Sequence, residues 1–176
     1  MKKVLLEAWR QAVIDEMAAV LPQFSLVSSR ERGEERNLLK FAWTPRDPLT
    51  CGIALRPLDD EFDVWIGWST NGQFPYLAAQ LSPAPRGPWD FAHPAVMVPA
   101  IALSGRHGAA AWKLWEPSNE QLDDPAAFAQ AFVEYAMKEF TAAEAKERVA
   151  PLVARAIEEA KAHGLPYLEK RIASLP

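Results

Sequence analysis

The chain has 176 residues, of which 49% are hydrophobic and 24% charged, as is typical of a globular protein with a substantial core. Its formal net charge of -4 argues against general nucleic-acid binding, which requires a basic surface. Because Cys51 is the single cysteine, the chain excludes internal disulfides and metal sites built from several thiolates, and we expect a buried, inert thiol.

The first part of the chain predicts one helix followed by four strands. Apolar residues recur every three or four positions from Val4 to Val20, which is typical of an amphipathic helix that Pro22 would end. Four strand-like segments follow, which are residues 24–29, 37–44, 51–57 and 61–69. Because the turns between them are short and polar, whereas parallel strands need long crossovers, we expect an antiparallel meander.

The apolar runs of the chain do not predict an export signal or a membrane span. At the N-terminus, Glu7 and Arg10 interrupt the apolar run before a signal-peptide core could form. The uncharged run of residues 91–105 contains two prolines and is too short to cross a bilayer. We therefore expect a cytoplasmic protein.

The fourth predicted strand alternates clearly between two faces. One face is apolar and is the natural core face; it consists of Phe62, Val64, Ile66 and Trp68. Strand geometry sends Trp65 to the opposite, more polar face, where its large ring needs cover from another element. Gly67, on that same face, leaves room for such an element to approach closely.

The stretch from residue 64 to residue 112 is poor in charge and rich in proline and tryptophan. Its charged residues are Arg86, Asp90 and Arg106. We expect an irregular segment, residues 69–112, that packs across an edge or the other face of the sheet. The pair Asn71 and Gly72 predicts a tight hairpin turn, and residues 111–116 could form a further short strand.

The C-terminal third predicts helices. Asp124 is placed as the N-cap of one helix, and residues 141–144, Thr-Ala-Ala-Glu, form a capping box that begins another. Pro151 should kink or split this second helix, and Gly164 is placed at its C-terminal end. Residues 165–175 predict a short last helix.

Together these elements predict one α+β domain that spans residues 1–176. An N-terminal helix precedes an antiparallel meander sheet of four strands or slightly more. The irregular segment rich in proline and tryptophan follows, and the C-terminal helices pack on one face of the sheet.

The tryptophans point to the region where a function could lie. Trp9, Trp43 and Trp68 fit the periodic faces of predicted elements and are expected in the core. The candidate ligand- or partner-binding residues are Trp65, Arg86, Trp89, His93, Arg106, His107 and Trp112. An aromatic cleft with a few polar groups is typical of binding sites, although aromatic residues most often fill cores.

The chain has no P-loop, dinucleotide-binding glycine pattern, zinc-protease helix or nucleophile elbow. His93 and His107 with Asp90 offer too few ligands for a convincing metal site, so we expect no metal, other cofactor or catalytic residue. Residues 103–109, which contain Arg106 and His107, could present an anion-binding turn or form an ordinary surface turn.

The order of elements, with a fourth strand ending in VWIGWS and a helical tail containing GLPYLEKRI, resembles small uncharacterised bacterial α+β families. Some of these families belong among toxin-immunity proteins. The resemblance implies a non-enzymatic role and carries no site residue.

Three functions are therefore open. The first is a non-catalytic binding protein, of immunity or antitoxin type, that engages a protein partner through an acidic or aromatic surface. The second is a small-molecule-binding module in which Arg86 or Arg106 holds an anionic ligand beside the tryptophans. The third is a hydrolase-type enzyme that uses His107 with Arg106 or Asp90. Nucleic acid and membrane are not expected partners, and the sequence does not determine the oligomeric state.

Overall fold

The computed structural model describes residues 1–28, 36–105 and 111–175. These ranges contain seven α-helices, which are α1 (Lys3–Val20), α2 (Pro75–Leu81), α3 (Ala100–Leu103), α4 (Asn119–Asp123), α5 (Pro125–Met137), α6 (Ala142–Glu159) and α7 (Leu165–Ala173). They also contain six strands, which are β1 (Ser25–Leu26), β2 (Leu39–Arg46), β3 (Leu49–Pro57), β4 (Glu61–Ser69), β5 (Ala95–Pro99) and β6 (Ala111–Lys113). A π-helical turn, Ala160–Gly164, joins α6 to α7. No helix within these ranges is long and apolar enough to cross a membrane.

The strands form one antiparallel sheet in the order β1-β2-β3-β4-β5, which confirms the α+β class and the predicted meander. Both additional strands pair with β4: β5 pairs with its C-terminal half, and β6 pairs with residues 61–63. The sequence predicted β6 as a short strand but did not predict β5. Pro94 precedes β5 and Pro99 is its last residue, and proline is tolerated at a sheet edge because its missing donor interrupts no further pairing.

One face of the sheet, the helix-covered face, carries the hydrophobic core. The side chains of Phe62, Val64, Ile66 and Trp68 are fully buried, as their alternation predicts. Buried side chains of α1 and α6 join them in the core, which are Leu5, Trp9, Val13, Met17, Val149, Val153 and Ile157. The predicted packing of terminal helices on one face is therefore confirmed.

The other face of the sheet carries Gly52, Gly67 and Trp65. A Cβ atom at Gly52 would lie 2.7 Å from Cδ of Pro75, at the start of α2, so this helix packs directly on the second face. The segment of residues 69–112 thus contributes to an edge through β5 and to the second face through α2. It contains regular elements where the sequence predicted irregular chain.

The turn at Asn71 and Gly72 leads into a helix, so the predicted hairpin is wrong. Gly72 has a φ of 74°, as the turn requires, and the Asn71 side chain accepts a hydrogen bond from the backbone N–H of Gln73 (3.1 Å). The chain then begins α2 at Pro75 because Phe74 and Pro75 pack against the strand at Gly52.

Helices α5 and α6 begin where the sequence predicts, but the interruption of the helical chain lies after Pro151 and not at it. Asp124 and Thr141 cap α5 and α6 through their side chains, which confirms both predicted starts. Helix α6 continues through Pro151, whose position is exposed, so the predicted split is wrong. The α-helical hydrogen-bond pattern changes instead at the π-helical turn, where Gly164 lies against the side chain of Ile66.

Candidate interaction surface

The three tryptophans predicted to line a cleft lie in three different places. Trp112 is only 7% exposed and stacks on Phe62 in the core, with ring centroids 5.7 Å apart. Trp65 lies on the second face of the sheet. Trp89 is half exposed on the helix-covered side, where its ring meets that of Tyr167 edge to face (5.1 Å). These rings therefore do not form one aromatic cleft, because strand alternation separates Trp65 from the other two.

Trp65 lies beside an ion pair that spans two strands. Nη2 of Arg56 and Oδ2 of Asp63 are 2.5 Å apart, and the Arg56 guanidinium carbon lies 6.0 Å from the Trp65 ring centroid. The indole nitrogen of Trp65 is buried and has no hydrogen-bond partner within the described ranges. The sequence predicted that another element covers the Trp65 ring, and the half-buried side chain shows that it is partly covered.

Arg86 and His93 belong to the same loop as Trp89. The backbone N–H of Arg86 donates to the carboxylate of Asp90 (3.1 Å), and the Arg86 side chain is exposed. The two ring nitrogens of His93 contact the carbonyl oxygens of Pro83 and Ala95. His93 therefore holds the ends of the loop together, which is a structural role. The remaining two predicted site residues, Arg106 and His107, lie outside the described residues, and so does most of the predicted anion-binding turn.

Cys51 is buried in the core, as its apolar neighbours in the sequence predict. Burial raises the pKa of its thiol to about 12, and the nearby Arg171 opposes this effect in part. A thiol with such a pKa is protonated at neutral pH, so it is a poor nucleophile.

Helix α5 is anchored through one side by an aromatic cluster. The ring of Trp115 contacts those of Phe128 (5.9 Å), Phe132 (5.8 Å) and Tyr135 (5.5 Å between centroids). The hydroxyl of Tyr135 donates a hydrogen bond to Asp60 (3.1 Å). Burial, together with the negative charge of Asp60, raises the pKa of Tyr135 to about 12. We call this side of the helix its inner face.

Both ends of α5 are also fixed. At its start, the Asp124 carboxylate accepts a hydrogen bond from the backbone N–H of Ala126 (2.9 Å). At its end, Nζ of Lys2 donates to the backbone carbonyl oxygens of Tyr135 (3.0 Å) and Ala136 (2.9 Å). A cation at the C-terminus of a helix satisfies free carbonyl groups and complements the helix dipole. Helix α5 is therefore held in a defined position.

The opposite side of α5 is apolar and faces solvent. This outer face consists of Ala126, Ala129, Val133, Ala136 and Met137, and Phe132 lies at its boundary with the inner face; all six side chains are exposed. The exposed fraction reaches 47% for Phe132, 56% for Val133 and 77% for Met137. An amphipathic helix normally turns polar residues toward solvent, whereas a helix that is apolar on all sides is normally buried. The outer face is thus the part of the described structure that lacks its expected cover.

Charged residues flank the outer face at both ends. Acidic residues precede it in α4 and its C-cap, and these are Glu120, Asp123 and Asp124. Lysines lie at its C-terminal end, where Lys138 pairs with Glu144 (3.0 Å) and Lys2 contacts the last carbonyl groups of α5. Along the helix itself, Gln130 and Glu134 form a polar edge and are hydrogen-bonded to each other (2.8 Å).

The tryptophan-based prediction missed this surface, although the sequence carried a signal for it. Residues 125–137, PAAFAQAFVEYAM, contain one charged residue, and their apolar positions cover more than one side of a helix. The inner face packs on the rest of the fold through Phe128 and Tyr135, which leaves Val133 and Met137 in solvent.

Comparisons with protein-family models, with curated proteins and with solved structures found no match. In the described part of the chain, no group of three or more His, Cys, Asp or Glu side chains is arranged to hold a metal ion. The surface formed by α5 is therefore the feature of the described structure that bears most directly on function.

Proposed function

We propose that the protein acts by binding a protein partner through the outer face of α5. The observation that supports this proposal is an exposed apolar face on a helix that is anchored at both ends and along its inner face. The exposed fractions of its side chains correspond to roughly 500 Å² of surface, which is within the range of the largest apolar patch of a typical monomer, and such a patch is often functional.

The shape and charge of the surface favour a protein over other ligands. Small molecules bind in concave sites, whereas one exposed side of a helix is convex. Helices that lie on membranes carry lysine and arginine on their polar side, but the polar edge of α5 consists of Gln130 and Glu134. Acidic residues at its start would further oppose an anionic membrane surface.

An immunity or antitoxin role is one form of this proposal, since such proteins act by occupying a partner. The resemblance that suggested it assigns no residue to α5, so it stays a prediction. The proposed surface also departs from the residues that the sequence suggested, because Trp65, Trp89 and Trp112 do not belong to it.

A photo-cross-linking amino acid placed at Val133 tests the proposal in cells that contain the protein. We expect a protein adduct of defined mass at Val133 and none at Glu158, an exposed position of α6 that serves as the matched control. A second change, Met137→Glu, should reduce the adduct at least tenfold, because a charge on the outer face must be desolvated on binding.

The double variant should keep the circular dichroism spectrum and melting temperature of the protein, because both positions are exposed. Absence of an adduct at Val133, equal adducts at both positions, or an adduct that persists with Met137→Glu would contradict the proposed function.

A further inference from the structure

We infer that the partner of the outer face is a second copy of this chain, with the two α5 helices packed antiparallel. This inference rests on the proposed function, because it names the occupant of the same surface. It predicts an isologous dimer, in which each copy offers the same face to the other.

The sizes of the side chains favour an antiparallel arrangement. The N-terminal half of the outer face has only small side chains, Ala126 and Ala129, whereas its C-terminal half carries the larger side chains of Val133 and Met137 beside Ala136. In an antiparallel pair that crosses near residue 131, the small half of one helix meets the large half of the other. A parallel pair would place large residues against large ones and leave a gap between the alanines. Close packing therefore favours the antiparallel pair.

The area of the surface fits a reversible dimer. A standard stable interface buries about 800 Å² on each partner, and weaker complexes bury less. The outer face contributes roughly 500 Å² per copy. We therefore expect a weak interface of about 1,000 Å² in total, below the range of standard stable complexes, with dissociation measurable at micromolar concentration.

The charges at the two ends are compatible with the same direction. In an antiparallel pair, the acidic end of one copy, with Asp123 and Asp124, faces the end of the other, where Lys2 and Lys138 lie beside Glu139 and Glu144. The two helix dipoles are also antiparallel, so the positive end of each lies beside the negative end of the other, which is favourable. Because Lys138 already pairs with Glu144 in its own chain, this charge pattern affects orientation more than affinity.

Sedimentation velocity of the purified full chain tests the inference in the absence of other proteins. We expect the sedimenting mass to rise toward twice that of the chain as the concentration increases from about 1 to about 100 μM. Val133→Glu should remain monomeric at every concentration. The matched control, Ala143→Glu, places the same charge at an exposed position in the first turn of α6, where acidic residues are tolerated, and should dimerise like the wild type.

Cysteine cross-linking tests the direction of the helices, since the buried Cys51 thiol does not compete. In the antiparallel pair, two copies of residue 133 are offset by about 6 Å along the helix axis, and two copies of residue 137 by about 18 Å. A short bismaleimide should therefore link Val133→Cys to itself but not Met137→Cys. Equal linking of both variants would indicate a parallel pair and overturn the inference.

The remaining outcomes separate the inference from the proposed function. A wild-type chain that stays monomeric would overturn the second copy as partner, and so would a dimer that persists in Val133→Glu. If the monomeric chain still gives the cellular adduct at Val133, the proposed function stands with a different protein as partner. If the wild-type chain instead sediments with anionic vesicles, and Val133→Glu does not, the surface binds membrane and both proposals fail.

Discussion

At Gly67 the missing side chain allows strand β5 to pair closely with β4. A Cβ atom at this position would overlap the backbone carbonyl oxygen of Val96 and would lie 2.9 Å from Cα of Met97. The nearest atoms therefore include strand backbone, which cannot move away by changing a rotamer. Gly67 does make room for a close neighbour, but this neighbour is the paired strand β5, whereas the sequence predicted an element that covers Trp65.

Gly67→Ala should lower the free energy of unfolding by about 1–3 kcal/mol, because the overlap forces β5 away from β4. Urea unfolding, followed by tryptophan fluorescence, measures this change. Gly87→Ala provides the control, since no atom lies within 4 Å of the Cβ position at Gly87. Equal stability of the Gly67 variant and the wild type would show that β5 is not tightly paired.

The tryptophans of the sheet differ in how well the sequence predicted their positions. Alternation placed Trp65 and Trp68 on opposite faces, as the structure has them. It could not place Trp112, because a three-residue strand gives too little periodicity to define a face. Trp112 pairs with Phe62 across the two strands and stacks on it, and this contact depends on β6 meeting β4.

At the scale of elements, α6 begins with a capping box that is also a pH-sensitive contact. The carboxylate of Glu144 accepts a hydrogen bond from the backbone N–H of Thr141 (2.9 Å), and Lys138 lies nearby. The hydrogen bond and the Lys138 charge lower the pKa of Glu144 from its usual 4.5 to about 2. A carboxyl group with a lowered pKa stabilises the folded state above its unfolded pKa and loses this effect as the pH falls toward its folded pKa.

Glu144→Gln should therefore destabilise the protein at pH 7 but make little difference near pH 2. The stability contribution of Glu144 is complete above pH 4.5 and declines as the pH falls from 4.5 to about 2. Urea unfolding of both proteins across this interval measures the difference. The exposed Glu158→Gln serves as control. If the stability difference between wild type and Glu144→Gln were the same at pH 7 and pH 2, the ionisation of Glu144 would not be linked to folding.

Helix starts were predictable because each depends on neighbouring residues. Asp124 with Pro125, and Thr141 with Glu144, satisfy backbone donors within three positions of the chain. The course of the helix after Pro151 was not predictable in the same way. It depends on the packing of Gly164 against Ile66 in a distant strand.

At the scale of the whole molecule, the sheet and the last helix are joined through a buried polar contact. The indole N–H of Trp68 donates to the hydroxyl of Tyr167 (3.0 Å), and both side chains are fully buried. The Arg171 guanidinium carbon lies 4.2 Å from the centroid of the Trp68 ring. Strand β4 and helix α7 are thereby connected across 99 positions of the chain.

Tyr167→Phe should lower the free energy of unfolding by about 1–3 kcal/mol, because it leaves the buried Trp68 N–H without an acceptor. Thermal or urea unfolding measures the loss, and Tyr76→Phe, at a partly exposed position of α2, controls for the removal of a hydroxyl. An unchanged stability would indicate that a water molecule replaces the hydroxyl as acceptor or that the contact contributes nothing.

Local signals in the sequence were enough to predict the first helix, the meander, the faces of β4 and the starts of α5 and α6. These features follow from periodicity, turns and caps, which act over a few residues. The separation of Trp65, Trp89 and Trp112 and the exposure of the outer face of α5 became visible in the folded chain alone. The positions of the tryptophans and the exposure of this face both depend on which surfaces meet across the fold. An apolar helix has the same sequence pattern whether one side of it or every side is buried, so the sequence does not show which sides are covered.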